Sequence, residues 1–254
     1  MEVSASLLNV KEKEAITTFY RLEMAHTDYF HIDVMDGIFV EDNTIEKMSE
    51  FADNLKNITN IPLDIHIMCK DIKKYVDVFA PCEPRIINFH LEALKKEKYE
   101  NEEEKIKDEN KILEIIKYIK NSNCKVGIAI NPKTDISNVY QYLPYIHNVL
   151  IMSVNPGKGG QKFIDTTINK IKILKDYIDK NNLENEIEVD GGINLETAKA
   201  VSEARSKHRF CWKLLDKFER LQIYNWKNTR NVRMIQKVYK KSIYKNIYKN
   251  IKKI

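Results

Sequence analysis

Short apolar runs alternate with stretches of helical periodicity along residues 1–204. The runs predict seven strands, which are Val3–Leu8, Tyr29–Met35, Leu63–Met68, Arg85–His90, Lys125–Ile130, Val149–Val154 and Ile187–Asp190. Helices are predicted between them at Lys11–His26, Ile45–Leu55, Ile72–Phe79, Lys111–Lys120, Thr167–Ile178 and from a cap at Asn194 through Ala200, with a charged loop at Lys95–Asp108. Single helices between strands indicate a parallel sheet. Seven such units of uniform composition favour a (β/α)8 barrel over an open doubly wound sheet, with one unit missing.

Polar side chains interrupt these apolar strands. His31 and Asp33 alternate with Phe30, Ile32 and Val34, so both polar side chains point to one face of their strand. Burying them together is costly unless a metal, a proton or a ligand compensates; the alternative is a sheet whose polar face meets water. The pattern recurs at or near the C-terminal ends of other strands, at Ser6, His66, His90, Ser153 and Asp190. Barrel active sites form at that end, so the recurrence favours a functional site.

The composition is typical of a soluble globular chain. Hydrophobic residues make up 43% of the 254 positions, and no apolar run approaches the roughly 20 residues of a membrane helix. Strand-like sequence begins at Val3, so neither a signal peptide nor a transit peptide is expected. The cysteines have no paired spacing, which argues against disulfides or a zinc knuckle and favours a cytoplasmic location; they are Cys69, Cys82, Cys124 and Cys211.

Positive charge is concentrated at one end of the chain. Residues 205–254 contain 16 Lys and Arg against only Asp216 and Glu219, although the whole chain has a net charge of +5. We interpret residues 1–204, which are acidic overall, as the barrel domain. Residues 205–254, rich in Lys, Asn, Ile and Tyr, are interpreted as a tail rather than a separate folded domain. The alternative is a basic tail that binds nucleic acid or acidic membranes, but no nucleic-acid-binding fold is recognisable, so neither partner is expected.

Five motifs in order carry a family resemblance. They are His31–Val40 (HIDVMDGIFV), Asp64–Met68 (DIHIM), Phe89–Ala93 (FHLEA), Asn155–Phe163 (NPGKGGQKF) and Val189–Gly192 (VDGG). Together they resemble ribulose-phosphate 3-epimerase over residues 3 to about 204. The resemblance implies a TIM-barrel isomerase that interconverts D-ribulose 5-phosphate and D-xylulose 5-phosphate in the pentose phosphate pathway. An epimerase for another ketose phosphate, such as allulose 6-phosphate, is the close alternative.

The resemblance also implies a metal site and a mechanism. The implied ligands of one divalent ion are His31, Asp33, His66 and Asp190, with zinc or iron favoured and manganese or cobalt as alternatives. Asp33 and Asp190 are the implied acid and base, because one base cannot reach both faces of a planar enediolate. The implied contacts to a sugar phosphate are Ser6, Met35, His66, Met68, Met152, Gly157, Lys158, Gly159, Gly160, Asp190, Gly191 and Gly192. A homo-oligomer is expected if the reading frame is intact.

Some of these contacts have a second interpretation. Gly157–Gly160 is a phosphate-loop candidate because glycines let backbone N–H groups approach an anion, yet glycine-rich turns are common. Lys158 departs from the aromatic or aliphatic residue usual in the family, and either adds phosphate affinity or is solvated. Met152 belongs either to a wall beside the substrate or to the barrel core. Ser6 either contacts substrate or is a turn residue.

The chain departs from the family after Ala204. The family continues with Gly-Ala, an eighth strand and a Gly-Ser phosphate motif, whereas this chain reads RSKHRFCW over Arg205–Trp212. One choice of codons for that segment, read one base later, gives Gly-Ala-Asn-Ile-Val-Phe-Ala-Gly. We therefore interpret the tail as the result of a one-nucleotide insertion or a misplaced exon boundary, with strand eight absent or replaced by the aberrant basic tail.

This interpretation sets expectations for the tail and for activity. Part of Arg205–Leu215 could fill the gap, since Phe210, Trp212 and Leu214 alternate with polar residues. Residues after about 220 are expected to form an exposed helix or a disordered tail. The alternative function is therefore none at all: an inactive or unstable product of a damaged reading frame.

Overall fold

The barrel strands follow the apolar runs of the sequence. The computed structural model describes residues 2–96, 98–204 and 209–213. Within those ranges the strands are β1 Glu2–Ser6, β2 Tyr29–Met35, β3 Leu63–Met68, β4 Ile86–His90, β5 Lys125–Ile130, β6 Asn148–Met152, β7 Glu186–Asp190 and β8 Arg209–Lys213. β2 and β3 are buried along their whole length, as expected for strands covered by helices outside and by side chains inside. The bounds of β2, β3 and β5 are those predicted.

The covering helices are α1 Ala15–Met24, α2 Ile45–Ile58, α3 Ile72–Phe79, α4 Glu102–Asn121, α5 Thr167–Lys180 and α6 Leu195–Glu203. α4 begins inside the segment predicted to be a loop. Asn101 caps it by accepting from the Glu104 N–H, and an acidic first turn suits the positive end of the helix. A 3-10 helix over Ile136–Tyr145, which the apolar pattern did not predict, joins β5 to β6. Asn194 caps α6 as predicted, in a capping box with Thr197.

The strands close into a parallel barrel in chain order, which confirms the predicted (β/α)8 architecture. Of the two alternatives for strand eight, the structure has the second, because the basic segment supplies β8 between β7 and β1. Cys211 of β8 lies in register with Ser4 of β1 on one side and with Asp190 of β7 on the other. Pairing on both sides satisfies backbone groups that would otherwise form two open sheet edges, which explains why this segment is recruited.

The compact unit that contains the barrel runs from Met1 to Leu215. β8 therefore extends the barrel past residue 204, where the sequence pattern ended it. A second unit, Asp216–Ile254, lies outside the described residues, and so does the helix or disorder expected after residue 220. None of the described helices combines the length and the apolar character that crossing a bilayer requires.

A layer of polar side chains crosses the inside of the barrel, N-terminal to the strand ends. Its members are fully buried and come from five strands: Ser4, Asp64, Asn88, Asn148 and Glu188. Asn148 Nδ2 donates to Asn88 Oδ1 at 2.8 Å and to Glu188 Oε2 at 3.0 Å. Asn88 Nδ2 in turn donates to Asp64 Oδ1 at 2.8 Å. We call these five side chains the buried polar layer, because buried polar groups of this kind are stable only as a hydrogen-bonded network.

Gly127 of β5 makes room for the buried polar layer. A Cβ at this position would lie 1.7 Å from Asn88 Oδ1 and 2.5 Å from Asn148 Oδ1. We expect Gly127→Ala to lower the free energy of unfolding by about 2 kcal/mol or more, because overpacking costs about 1–3 kcal/mol and a displaced amide loses its partners. Urea unfolding measures the loss. Combined with Asn88→Ala, the losses should be less than additive because the clashing atoms are gone, and strict additivity would contradict this packing.

Candidate functional site

Two side chains of β2 begin the site. His31 and Asp33 point into the barrel together because they are two residues apart on a strand, and both are buried. His31 Nε2 lies 3.3 Å from Asp33 Oδ1. On the other side of the ring, His31 Nδ1 lies 2.9 Å from Asp64 Oδ2, an oxygen that also accepts from Ser4 Oγ. A carboxylate behind a histidine favours the tautomer with its proton on that side, so Asp64 turns Nε2 toward Asp33 as an acceptor.

His66 of β3 and Asp190 of β7 complete the group. His66 Nδ1 lies 3.3 Å from Asp33 Oδ1 and 3.7 Å from Asp190 Oδ2. One ligand atom from each of His31, Asp33, His66 and Asp190 lies within 4.8 Å of the others. We call these four residues the strand-end cluster. They are the four predicted from the sequence, and the fold brings all of them together.

The donor set of the strand-end cluster fits a divalent transition metal. Two imidazole nitrogens and two carboxylate oxygens suit zinc, iron, manganese and cobalt, so the donors do not select one of them. A second group with metal-like spacing in the described residues is His31 with Asp64 and Glu188. Its carboxylates already accept hydrogen bonds within the buried polar layer, from Ser4 and Asn88 among others. The strand-end cluster is therefore the better candidate metal centre.

Electrostatics keep two of these ligands in the forms that bind metals. Burial opposes ionisation of Asp33, but His31 and His66 beside it outweigh that effect and hold the pKa of the Asp33 carboxyl well below its ordinary value. Burial lowers the pKa of His66 to about 4, although its hydrogen bond to Asp33 acts in the opposite direction. At neutral pH, Asp33 is therefore a carboxylate and His66 a neutral imidazole.

A cavity above the cluster is lined by the predicted substrate contacts. It contains about 360 Å³ of empty space, part of it open to solvent. The predicted contacts in its wall are Ser6, Met35, Met68, Met152, Gly157, Lys158, Gly159, Gly160, Asp190, Gly191 and Gly192. His66 is fully buried and lies behind that wall. Ser6 Oγ donates to Asp33 Oδ2 at 2.8 Å, so Ser6 orients a cluster carboxylate as well as facing the cavity.

The glycine loop Gly157–Gly160 packs against the loop that follows β2. Gly157 has a φ of +99°, and a Cβ there would lie 2.7 Å from Val40 Cβ, so only glycine allows this approach. Lys158 Nζ lies 2.7 Å from Glu41 Oε2, and both side chains are exposed. Such a pair contributes little stability. Lys158, expected to bind phosphate or to be solvated, here joins two loops that border the cavity.

Backbone contacts hold Asp190 at the end of β7. The Ser153 N–H donates to the Asp190 carbonyl at 2.7 Å, and Ser153 Oγ donates to the Gly191 carbonyl at 2.6 Å. Gly191 has a φ of +111°, and a Cβ there would lie 2.3 Å from Val154 Cγ2. The Asp-Gly-Gly turn is therefore required for the chain to pass this close to β6 while it presents Asp190 to the cavity.

Sequence reasoning missed the residues that support the cluster from within the barrel. Asp64 and Glu188 come two residues before His66 and Asp190 on the same strands, so period-two alternation places them on the same face. That alternation was the available signal. It did not identify their partners, because Asn88 and Glu188, which share a hydrogen bond, are 100 positions apart.

Comparisons with known proteins agree with this geometry. A family model described as the ribulose-phosphate 3 epimerase family matches residues 2–209. The ribulose-phosphate 3-epimerase of Helicobacter pylori strain J99 is 34% identical over 200 residues, covering 76% of this chain and 81% of that protein. The Bacillus subtilis ribulose-phosphate 3-epimerase is 34% identical over 205 residues, covering 80% and 87%. The chloroplastic ribulose-5-phosphate-3-epimerase of Arabidopsis thaliana is 33% identical over 202 residues, covering 80% and 66%.

Solved structures share the fold at low sequence identity. A mutant tryptophan synthase alpha-subunit from Pyrococcus furiosus has a TM-score of 0.58 at 9% identity, covering 89% of this chain and 95% of that one. The N-terminal domain of a putative aldolase from Bacteroides vulgatus has a TM-score of 0.56 at 12% identity, covering 91% and 82%. At these identities the likeness concerns the barrel alone.

Proposed function

The chain belongs to the ribulose-phosphate 3 epimerase family and is an isomerase; from that premise we propose that it interconverts D-ribulose 5-phosphate and D-xylulose 5-phosphate by proton transfer at C3, using two aspartates and one divalent metal ion. The observation that carries the proposal is the convergence of His31, Asp33, His66 and Asp190 beneath one cavity. The proposal assigns the reaction to the pentose phosphate pathway and to the cytoplasm.

The strand-end cluster is the proposed metal centre. His31 would bind through Nε2 and His66 through Nδ1, the nitrogens that face Asp33. When bound there, a divalent ion supplies Lewis-acid stabilisation of the negative charge that develops on the substrate oxygens. Asp64 holds the ring of His31 from behind, and Ser6 holds the carboxylate of Asp33, so these two ligands are oriented before substrate arrives.

Asp33 and Asp190 are the proposed bases. The proton at C3 lies next to the C2 carbonyl, and epimerisation removes it from one face of the substrate and returns a proton to the other. β8 and β1 separate β7 from β2 in the barrel, so the two carboxylates approach the substrate from different sides of the cavity. Asp33 acts as the base and Asp190 as the acid in one direction, and the roles exchange in the other. The sulfur-containing wall of Met35, Met68 and Met152 excludes water beside the reacting carbons.

The glycine loop is the proposed phosphate contact of the described residues. Gly157 to Gly160 line the same cavity as the two aspartates, and glycines leave backbone N–H groups accessible to an anion. Binding energy from the phosphate, which is remote from C3, helps to align the reacting carbons with the two carboxylates.

The proposed function has a direct test in deuterium oxide. We expect the full chain with added zinc to convert ribulose 5-phosphate and to place one deuterium at C3 of both pentulose phosphates, followed by proton NMR. Dialysis against a chelator should abolish conversion, and zinc, iron, manganese or cobalt should restore it, because the cluster is the only source of the Lewis acid in the proposal. Unphosphorylated ribulose should react at least about 100-fold more slowly, because poor alignment alone costs about that factor.

Two outcomes would count against this proposal. Full conversion by a chain that retains no metal would exclude the role given to the strand-end cluster. Equal rates with ribulose and ribulose 5-phosphate would exclude Gly157–Gly160 as a phosphate contact.

A further inference from the structure

A chain of hydrogen-bonding groups leads from the strand-end cluster to the rim of the barrel. His66 Nε2, the nitrogen that faces away from Asp33, lies 3.0 Å from His90 Nε2. His90 Nδ1 lies 3.1 Å from Glu92 Oε2. Both imidazoles are fully buried, whereas the side chain of Glu92 is 22% exposed. The ring of Phe39 packs against His90 with centroids 5.1 Å apart, which shields the middle of the chain from water.

Glu92 is held as an ionised acceptor. Its Oε1 accepts from the Asn131 N–H at 2.8 Å and from the Thr134 hydroxyl. Burial opposes ionisation of Glu92, but hydrogen bonds from His90, Thr134 and Asn131 outweigh it and hold the pKa of the carboxyl below its ordinary value. A carboxylate only accepts hydrogen bonds, so the contact between Oε2 and His90 requires a proton on His90 Nδ1.

This requirement passes from one ring to the next. A neutral imidazole carries one proton, so His90 with its proton on Nδ1 presents a lone pair at Nε2. The contact of 3.0 Å between the two Nε2 atoms then requires the proton of His66 to lie on its Nε2. His66 Nδ1 is left with a lone pair that faces Asp33 and Asp190. We propose that Glu92 is a positioning residue that, through His90, selects the tautomer of His66 able to bind a metal ion through Nδ1.

The inference rests on the proposed metal centre and extends it to a residue that is not a ligand. The carboxylate of Asp64 contacts the ring of His31 directly, whereas Glu92 acts on His66 through one intervening imidazole. Residues that orient metal-binding histidines contribute about 10–100-fold to metal affinity. Because Asn131 and Thr134 hold Glu92, the loop after β5 also sets the state of this ligand.

The first measurement needs no substitution. In the full, metal-free chain at neutral pH, labelled with ¹⁵N in histidine, long-range ¹H–¹⁵N spectra should show the proton of His66 on Nε2 and that of His90 on Nδ1. The spectra are assigned by loss of signals in His66→Gln and His90→Gln. A proton on His90 Nε2 in the unaltered chain would overturn the inference whatever the variants do.

The second measurement reverses the chain of hydrogen bonds. In Glu92→Gln the amide oxygen should stay with the Asn131 N–H and the Thr134 hydroxyl, so the amide N–H₂ faces His90 Nδ1 as a donor. His90 then carries its proton on Nε2 and forces the proton of His66 onto Nδ1, where the metal should bind. We expect both tautomers to switch and the dissociation constant for zinc, measured by competition with a chromophoric chelator, to rise about 10–100-fold.

Two further variants separate the tautomer from other effects of the substitution. Glu92→Asp keeps a carboxylate and should keep the original tautomers with a smaller loss of zinc affinity. Glu83→Gln alters an exposed glutamate paired with Lys56 and should change neither measurement. Zinc affinity unchanged in a folded Glu92→Gln chain would overturn the inference, whereas no zinc binding by the unaltered chain would instead overturn the proposed metal centre.

Discussion

Asp33→Asn and Asp190→Asn should each lower the rate of epimerisation by at least about 1,000-fold. General acid or base catalysis alone is worth about 10²–10⁴, and each substitution removes the only base on its side of the cavity. Asparagine keeps the size of the side chain and one metal-binding oxygen, so the loss comes mainly from proton transfer. The rates are measured with both pentulose phosphates at saturating zinc, after the zinc content of each variant has been determined.

The two variants should differ in what they can still do. The aspartate that remains serves one face of C3, so each variant should still exchange the C3 proton of one pentulose phosphate with solvent deuterium and not that of the other. Asp42→Asn, an exposed carboxylate on the loop after β2, is the matched control and should leave the rate unchanged. A near-normal rate for Asp190→Asn would exclude the two-base mechanism.

Restoring the reading frame after Ala204 should raise kcat/KM for ribulose 5-phosphate by at least about 100-fold. The restored chain continues as Gly-Ala-Asn-Ile-Val-Phe-Ala-Gly-Ser, which supplies the phosphate motif that barrels of this kind carry after strand eight. Arg209–Lys213 already provides the backbone of β8, so the expected deficit of the chain as it stands lies in phosphate binding more than in barrel closure. A phosphate held in the wrong position misaligns the reacting carbon, and small misplacements cost about this factor.

The experiment compares the two chains at equal metal content. The gain should be confined to phosphorylated substrates, so unphosphorylated ribulose serves as the internal control. Thermal unfolding of both chains, followed by circular dichroism, shows how much of the difference is stability. Equal turnover by the chain with Arg205–Ile254 unchanged, together with a cooperative melt, would overturn the interpretation of the tail as a reading-frame change.

The ligands were predictable because strand parity and strand ends are local properties of a sequence. His31 and Asp33 stand out in an apolar run, and the end of a barrel strand is where such residues converge. The bounds of β2 and β3 followed from the same alternation. The assignment of Asp33 and Asp190 as the acid–base pair came from the family resemblance, and it stays a prediction until the variants are measured.

Other features depend on partners that no local pattern identifies. Asn148 was left outside its predicted strand because it is polar, yet in the fold it donates to Asn88 and Glu188 from the centre of the barrel. The start of α4 was missed because Glu102 and its neighbours lack apolar periodicity; the cap at Asn101 and the dipole at the helix N-terminus decide its start instead. β8 was uncertain because edge pairing, and not its own composition, determines it.

The buried polar layer bears on how the chain is made by a ribosome. Its hydrogen bonds join Ser4 near the start of translation to Glu188 through Asp64 and Asn88, so the layer is satisfied only when β7 has been synthesised. A nascent half-barrel therefore exposes unsatisfied polar groups at its centre, which delays commitment to the native core. Every member of the layer is nonetheless encoded upstream of Ala204. The central hydrogen-bond network of the protein is consequently complete before the altered codons are read, which insulates the core from an error in the last part of the message.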